Sequence, residues 1–261
     1  MENFKIIIYS LIQGITEFLP VSSSAHLYLA QGFFNWKESL LLFALGAHLG
    51  TLLAVMFHQR KVFSEINFKE KNNKLSLKNN ILILALIASI PVITVGAIVV
   101  LFFKIDFKTN LLIIALASIF GGILLEIADN FFSKDNKNKM TIQKSLLVGI
   151  FQVLAIIPGM SRSGTIITAM RFLGMNRSFS INFSLLCGIP VLIIACSYGF
   201  LEIILNYNMY IMKFFLIILF SFGSALVTIN FFLAWVNKFS FRVFSIYRIC
   251  LGVFLLAYLY V

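Results

Sequence analysis

Long apolar runs dominate this sequence. Six of them are close to the roughly 17 to 25 residues that a helix needs to cross the hydrocarbon core of a bilayer. Hydrophobic residues make up 60% of the chain and charged residues only 12%, a balance far from that of a soluble domain. We therefore predict an all-α integral membrane protein with six transmembrane helices, at residues 40–57, 81–103, 111–128, 179–201, 212–236 and 244–261.

The chain carries a net charge of +11, and the distribution of its basic residues is informative. Lysine and arginine are concentrated in two polar segments, 58–80 and 129–144. The positive-inside rule places such segments on the cytoplasmic side of the membrane. The sequence has no basic face interleaved with aromatic residues, so a nucleic-acid partner is not predicted. We interpret the two segments as cytoplasmic loops of a multi-pass protein.

Two further apolar stretches do not fit as full spans. The first, 4–34, is interrupted by PVSSS, and the second, 145–174, is interrupted by PGMSRS. Either stretch would upset the alternation of charged loops if it crossed the membrane. We predict that each forms a re-entrant helical hairpin. Because irregular backbone at membrane depth is tolerated only where protein or a wet cavity satisfies it, each interruption marks an internal site.

The two interruptions resemble each other. GITEFLPVSSS and GIFQVLAIIPGMSRS share Gly-Ile, a Glu or Gln two residues later, and a Pro followed by a serine pair. We predict a single polytopic membrane domain, 1–261, built from one repeat at about 1–128 and a second at about 144–261. One hairpin and three spans in each half give the halves opposite orientation, which is the inverted-topology plan of many transporters, with sites near the midplane.

The polar side chains of the first interruption are spaced to act together. Gln13 and Glu17 are four residues apart, so they share one face of a helix that we expect to stop at Pro20. The serines at 22, 23 and 24 follow where the second helix begins, and any one of them could be its N-cap. His26 lies in the first turn of that helix.

The second interruption combines hydroxyl groups with a positive charge. Ser161 or Ser163 can cap the helix that follows, with Gly174 as its C-cap. Arg162 is the unusual residue, because a guanidinium inside the membrane costs at least about 2.5 kcal/mol and usually faces an internal cavity with a partner. The structural alternative for Arg162 is a simple buried ion pair with Glu17.

Two hairpins entering from opposite faces would bring helix N-termini, hydroxyl groups and Arg162 to one place. Helix N-termini bind anions, and an arginine fork matches phosphate oxygens. Glu17 has the wrong charge for an anion, which suggests a metal ion, a general base, or both. His26 could transfer a proton or act as a nucleophile, and an activated Ser22 or Ser23 could also be the nucleophile. The pattern indicates a site that binds and cleaves a phosphate group presented at the membrane.

Three other polar residues are weaker candidates. His48 lies within a predicted span, where an ionisable residue suggests function, but Gly46 and Gly50 beside it equally indicate close helix packing. Glu126 and Asp129 close a predicted span at its cytoplasmic end. We interpret both carboxylates as residues of the membrane interface.

These motifs resemble those of the undecaprenyl pyrophosphate phosphatases of the bacitracin-resistance type, over nearly the whole chain. The family's first motif is Glu/Gln-x-x-x-Glu with a serine-rich turn and a histidine, matched here by Gln13, Glu17, Ser22, Ser23 and His26. Its second motif is Pro-Gly-x-Ser-Arg-Ser, matched here by Pro158, Gly159, Ser161, Arg162 and Ser163.

The resemblance implies hydrolysis of the diphosphate on a C55 polyprenyl carrier, which releases inorganic phosphate, returns undecaprenyl phosphate to peptidoglycan synthesis and confers bacitracin resistance. It implies an active site open to the periplasmic side of the bacterial inner membrane and dependence on a divalent cation, Mg2+ or Ca2+. The implied metal ligands are Gln13 and Glu17. The implied catalytic residues are Glu17, Ser23, His26 and Arg162. The implied substrate-binding residues are Ser22, Gly159, Ser161, Arg162, Ser163 and Thr165.

Two positions depart from the family's pattern. Gln13 stands where a second carboxylate could ligate the metal, so the cation would be held less tightly or through water. The family's threonine after the Ser-Arg-Ser triplet falls at Ile166, and Thr165 is the adjacent hydroxyl. A shift of one residue rotates a side chain by about 100° around a helix.

The main alternative function is a lipid-carrier flippase or another transporter without hydrolysis, because inverted repeats with broken helices are transporter architecture. A transporter would use Arg162 but has no need of a nucleophile beside a proton donor. A structural scaffold explains none of the intramembrane polar groups. The sequence leaves open whether His26 or a serine is the nucleophile, and whether two copies form a homodimer.

Overall fold

The computed structural model describes residues 2–34, 40–64, 80–103, 110–131, 139–206 and 211–259. Within these ranges the chain is helical and contains no strand. A π-helical turn spans Val99–Phe103, and a 3-10 turn spans Val153–Ile156. The helices are α1 (Glu2–Thr16), α2 (Ser23–Phe34), α3 (Leu40–His58), α4 (Arg60–Ser64), α5 (Ile81–Ile98), α6 (Leu111–Phe131), α7 (Ile142–Gln152), α8 (Arg162–Phe172), α9 (Arg177–Asn206), α10 (Ile211–Val236) and α11 (Arg242–Leu259).

Five helices of the described chain are long and apolar enough to cross a membrane, which confirms an all-α, multi-pass membrane protein. The sixth predicted span, 40–57, corresponds to α3, whose apolar segment Phe43–His58 is shorter than the other five. Residues 65–79 and 132–138, which make up much of the predicted loops 58–80 and 129–144, lie outside the described residues. The five spans are Ile81–Phe102, Leu111–Asn130, Arg177–Phe200, Met212–Val236 and Arg242–Leu259.

The first predicted hairpin is broken between α1 and α2. The α1 helix ends at Thr16, although the Glu17 amide still donates to the Gln13 carbonyl at 2.9 Å. The helix therefore ends before Pro20, where the sequence places its end. Proline lacks an N–H and disfavours the helical conformation in the residue before it, so the last turn is lost ahead of the proline itself.

The second predicted hairpin is broken between α7 and α8, and both predicted caps of α8 are present. The Ser161 hydroxyl accepts a hydrogen bond from the Gly164 amide at 3.2 Å, as an N-cap does. Gly174 has a φ of 76°, and its amide donates to the Arg171 carbonyl at 3.0 Å. The next amide donates to the Met170 carbonyl at 3.1 Å, which completes a Schellman motif.

Small residues bring α1 and α7 close to the spanning helices. Gly14 of α1 faces α10, where an added Cβ atom would lie 2.7 Å from the Ser221 carbonyl oxygen. Gly149 of α7 faces α5, where an added Cβ atom would lie 2.5 Å from the Ala88 carbonyl oxygen. Such close backbone approach is typical of helix packing in membranes. The α1 helix thus packs closely on α10, and α7 packs closely on α5.

The contact between α6 and α11 is reciprocal. An added Cβ atom at Gly122 would lie 2.9 Å from the Ser245 carbonyl oxygen, and one at Gly252 would lie 2.6 Å from the Ala115 carbonyl oxygen. Ser245 lies about two turns before Gly252 on α11, and Ala115 lies about two turns before Gly122 on α6. Each helix therefore contacts the other through a corresponding surface.

A buried charged cluster at the end of α6 corrects the interpretation of Asp129 as an interface residue. Its side chain is only 1% exposed. The carboxylate accepts hydrogen bonds from Arg171 Nε at 2.8 Å and Arg177 Nε at 2.9 Å, and from the Phe241 amide at 3.1 Å. Asp129 therefore joins α6 to α8, α9 and the segment that leads into α11.

Replacing Asp129 with asparagine is expected to lower the free energy of unfolding by about 3 to 5 kcal/mol, because Arg171 would stay buried without a carboxylate. Glu126→Gln is the matched control, since Glu126 lies one turn earlier, is 26% exposed and pairs with the exposed Arg242. An exposed pair contributes about 0 to 1 kcal/mol. Unfolding of the purified protein in detergent measures both, and equal effects would contradict the structural role of Asp129.

Candidate active site

The two interruptions meet in the folded chain. The Ser163 hydroxyl donates to the Leu19 carbonyl at 2.7 Å, and Arg162 Nη2 donates to Glu17 Oε1 at 2.9 Å. These partners are 144 and 145 residues apart in the sequence. A simple buried ion pair with Glu17 was the alternative to a functional role for Arg162, and this contact is such a pair. The groups around the pair therefore decide whether Arg162 also has a function.

The Glu17 carboxylate is the centre of this site. Its Oε2 atom accepts hydrogen bonds from Gln13 Nε2 at 2.7 Å and from the Ser23 hydroxyl at 3.0 Å, while Oε1 pairs with Arg162. The side chain is only 8% exposed. One carboxylate thus holds both a serine hydroxyl and a guanidinium. The hydroxyl can give its proton to the carboxylate while the guanidinium binds an anion, which a simple ion pair does not explain.

The Gln13 amide connects Glu17 to His48. Its Nε2 atom donates to Glu17 and lies 3.0 Å from His48 Nδ1. Because the amide nitrogen carries two hydrogens and the amide oxygen would repel the carboxylate, Nε2 is the atom that faces both groups. His48 Nδ1 then accepts, so the neutral imidazole carries its hydrogen on Nε2. The structure therefore brings His48, a weaker candidate in the sequence, into contact with the site.

Arg162 is held in place by two partners and keeps donors free for a ligand. Its Nη1 atom donates to the Gly188 carbonyl of α9 at 2.8 Å. An added Cβ atom at Gly188 would lie 2.8 Å from the same Nη1 atom, so this approach requires glycine. A guanidinium has five N–H donors, and the contacts to Glu17 and Gly188 use two of them. The remaining donors suit phosphate oxygens.

His26 shares a helix face with Ser23 but has partners of its own. Its Nδ1 atom lies 2.8 Å from the Ser22 carbonyl, which only accepts, so Nδ1 carries a hydrogen. Its Nε2 atom lies 2.5 Å from the Tyr247 hydroxyl, and the two rings are stacked at 5.6 Å. Neutral His26 therefore accepts a hydrogen bond from the Tyr247 hydroxyl at its basic Nε2 atom. Because His26 is three residues after Ser23 on α2, the two side chains are neighbours.

Two turns form the site, the first between α1 and α2 and the second between α7 and α8. Ser22 and Ser161 occupy corresponding places in these two turns. Both have left-handed backbone conformations, with φ of 71° and 63°. Each hydroxyl lies 3.1 Å from the hydroxyl of the serine two residues later, which is Ser24 in the first turn and Ser163 in the second. A left-handed residue other than glycine costs about 1 to 2 kcal/mol and persists where the surroundings enforce it, commonly at functional sites.

Gly159 and Thr165 are placed to support the second turn. Gly159 has a φ of 98°, and an added Cβ atom would lie 2.5 Å from the Ile114 carbonyl oxygen. Glycine is therefore required there by both conformation and packing. The Thr165 side chain is buried, and its hydroxyl donates to the Arg162 carbonyl at 2.8 Å. This hydroxyl stabilises the first turn of α8.

The residues at this site fit a hard divalent cation that takes most of its ligands from elsewhere. Within the described part of the chain, no group of three or more His, Cys, Asp or Glu side chains could hold a metal ion. Gln13 Oε1, however, is a buried oxygen without a hydrogen-bond partner, on the amide whose Nε2 atom donates to the Glu17 carboxylate. Mg2+ is commonly bound by one or two protein oxygens together with water and substrate phosphates. Gln13 and Glu17 suit that role.

Two residues at the site were missed in the sequence, Tyr247 and Arg248 of α11. Tyr247 contacts His26, and the Arg248 side chain donates to the Gly159 carbonyl at 3.0 Å. A signal for Arg248 was present, since an arginine inside an apolar span indicates function by default. Tyr247 carried no such signal, because tyrosine is common in membrane helices.

The fold and the site define a polytopic, all-helical membrane protein with a buried carboxylate, a serine and an arginine arranged to act on an anionic group. The family model described as Bacitracin resistance protein BacA matches residues 6–254 of the chain. The chain belongs to this family, as the resemblance of its motifs implies.

Curated relatives match the chain over nearly its whole length. A protein from Pelagibacter ubique named Undecaprenyl-diphosphatase is 37% identical over 98% of this chain and 97% of its own length. A protein of the same name from Hahella chejuensis is 36% identical over 100% of both chains. Another, from Campylobacter curvus, is 34% identical over 98% of both chains.

Proposed function

We propose that this protein is an undecaprenyl-diphosphate phosphatase, which hydrolyses undecaprenyl diphosphate to undecaprenyl phosphate and inorganic phosphate. The family and the names of its relatives support this function. The observation that carries it is the Glu17 carboxylate, which accepts the Ser23 hydroxyl on one oxygen and pairs with Arg162 on the other. A nucleophile, a base and a phosphate-binding side chain therefore share one centre.

Substrate binding follows from the second turn. The free donors of Arg162 bind oxygens of the terminal phosphate, and the N-terminus of α8 supports the same charge. Ser22, Ser161 and Ser163 add hydroxyl groups around the two turns. The polyprenyl tail lies among the apolar helices, where its burial requires no polar partner.

Hydrolysis takes place in two steps. In the first, Ser23 Oγ forms a bond to the terminal phosphorus while the bridging P–O bond breaks, and the serine proton passes to Glu17. Undecaprenyl phosphate leaves. In the second, water attacks the phosphoserine and gives a proton to the Tyr247 hydroxyl, which passes its own proton to His26 Nε2, while Ser23 Oγ leaves the phosphorus and takes its proton back from Glu17. Inorganic phosphate is released, and His26 returns its proton to solvent.

A divalent cation, Mg2+ or Ca2+, is part of this proposal. Gln13 Oε1 and the Glu17 carboxylate would hold it, together with oxygens of the substrate. When bound, the cation supplies positive charge that offsets the charge of the diphosphate. The amide of Gln13 carries no charge, so the protein's share of the binding is weaker than that of two carboxylates.

We also propose that the chain is an inverted repeat with six spans and two re-entrant hairpins, one repeat at about 1–128 and the other at about 144–261. The corresponding contacts of Gly14 and Gly149 support it, as do the reciprocal contacts of Gly122 and Gly252. The inner membrane is the proposed location. The basic segments favour a cytoplasmic position for the loops, and the site opens to the periplasmic side.

The test of this function is release of inorganic phosphate from undecaprenyl diphosphate by the purified protein in detergent, with and without a chelator of divalent cations. We expect release that the chelator stops and that added Mg2+ or Ca2+ restores. Binding of the lipid without release by the folded protein would overturn hydrolysis and favour the transporter. Release that is insensitive to the chelator would overturn the proposed role of the cation.

A further inference from the structure

Arg248 is a buried arginine that forms no ion pair within the described part of the chain. It lies within the apolar span Arg242–Leu259, and its side chain is completely buried. No carboxylate among the described residues lies within ion-pair distance of it. An unpaired arginine inside a membrane is energetically costly, so a residue of this kind indicates function.

The Arg248 guanidinium is fastened to the second turn of the site. Its Nη2 atom donates to the Met160 carbonyl at 2.8 Å and to the Gly159 carbonyl at 3.0 Å. Two glycines leave space for the guanidinium. An added Cβ atom would lie 2.0 Å from Nη2 at Gly121 and 2.9 Å from Nη1 at Gly164. Backbone and side chains are therefore arranged around this one guanidinium.

These two hydrogen bonds fix the direction of the peptide groups in the turn. In a planar trans peptide, the carbonyl of one residue and the N–H of the next point in opposite directions. Because the carbonyls of Gly159 and Met160 point at Arg248, the N–H groups of Met160 and Ser161 point away from it. The same turn holds Ser161 at a φ of 63°. The conformation that leads into Arg162 thus depends on Arg248.

The charge of Arg248 contributes to the electrostatic potential of the site. Arg162 is paired with Glu17, so the two contribute no net charge to the site. Arg248 places a positive charge close to Gly164, in the first turn of α8, where the helix dipole is also positive. In a region of low dielectric this combined field favours an anion in front of the turn.

We propose that Arg248 is a positioning residue for the hydrolysis, which holds the Gly159–Met160 turn in its reactive conformation and supports the bound phosphate with its charge. Arg248 does not touch the substrate; it acts through the turn that presents Ser161 and Arg162. The kinetic consequences of this inference rest on the proposed function. The clamp, by which we mean the hydrogen bonds from Arg248 to the Gly159 and Met160 carbonyls, can be tested without substrate through the stability of the turn.

The experiment compares Arg248→Met and Arg248→Lys with the wild type, with Arg242→Met as the control that removes an exposed arginine from the same helix. For the folded Arg248→Met variant we expect kcat to fall about 100-fold with little change in KM, since misplacing reactive groups by about 1 Å has an effect of this size. Arg248→Lys keeps the charge but loses the fork, and we expect a smaller loss.

Amide hydrogen exchange, followed by mass spectrometry, supplies the second readout. Peptides covering 157–164 should exchange faster in both Arg248 variants, while peptides of α10 stay unchanged. A folded Arg248→Met protein with the kcat of the control would overturn the proposal, as would a loss of kcat without faster exchange in the turn. If Arg248→Met does not fold, Arg248→Lys decides by the same two criteria. Absence of activity in the wild type contradicts the proposed function instead, and the exchange data still test the clamp.

Discussion

Replacing Ser23 with alanine is expected to lower kcat by about 10³-fold or more, because the hydroxyl that attacks phosphorus is removed. Ser23 is the serine whose hydroxyl donates to Glu17 Oε2, at 3.0 Å. The fold should be unaffected, since Ser23 is half-buried and the loss of its hydroxyl leaves Glu17 with Gln13 and Arg162 as partners. Phosphate release from undecaprenyl diphosphate under single-turnover conditions measures the change.

Ser24→Ala is the matched control for this substitution. Ser24 is the next residue, is exposed, and contacts the Ser22 hydroxyl rather than Glu17. We expect near wild-type activity from it. A phosphorylated Ser23 in acid-quenched wild-type protein would identify the intermediate directly. If Ser23→Ala retains the wild-type rate and no phosphoserine forms, His26 becomes the candidate nucleophile.

Replacing Arg162 with alanine is expected to lower kcat/KM by about 10³-fold or more, a loss typical of an arginine that stabilises the charge of a transferring phosphoryl group. The substitution removes the donors that face the phosphate. It also leaves the Glu17 carboxylate, which is 8% exposed, without the guanidinium that pairs with it. The second effect also destabilises the site. Steady-state hydrolysis and unfolding of the same preparation in detergent separate the two contributions.

Arg162→Lys distinguishes the charge from the geometry of the guanidinium. Lysine keeps a positive charge but lacks the planar fork that reaches Gly188 and Glu17 at the same time. We expect its stability to be close to that of the wild type and its activity to lie between those of wild type and Arg162→Ala. A folded Arg162→Ala protein that hydrolyses the lipid normally would show that the ion pair with Glu17 is purely structural.

The local features of the fold could be predicted because each depends on a few neighbouring residues. The length of an apolar run sets whether a helix can span the membrane, and a proline followed by serines ends one helix and begins another. The N-cap at Ser161 and the left-handed Gly174 were found in this manner. The error at Pro20 has the same local origin, because the proline acts on the residues before it.

The partners of the site residues could be predicted only in part. The similarity of the two interruptions indicated that they would meet, and Glu17 was the partner considered for Arg162. The long-range contacts of α11 with the site were not indicated by any feature of the two interruptions. Tyr247 and Arg248 lie in an apolar helix, and the sequence does not state which face of such a helix meets protein and which meets lipid.

Asp129 shows the same limit for a structural residue. A carboxylate at the end of a span looks the same in the sequence whether it faces water or a pair of arginines. The arginines that surround it are 42 and 48 residues away, on α8 and at the start of α9. Their approach depends on how α8 and α9 pack against α6, which no local sequence pattern records.

The sequence by itself determined that this chain is a helical membrane protein, where its helices break, and which motifs carry chemistry, because these follow from hydropathy and short-range backbone rules. Only the tertiary structure decided that Ser23 is the serine on the Glu17 carboxylate, that Gln13 connects it to His48, and that Arg248 fastens the second turn. Hydrogen bonds of this kind depend on direction and distance across packed helices, and these are set only when the whole chain is folded.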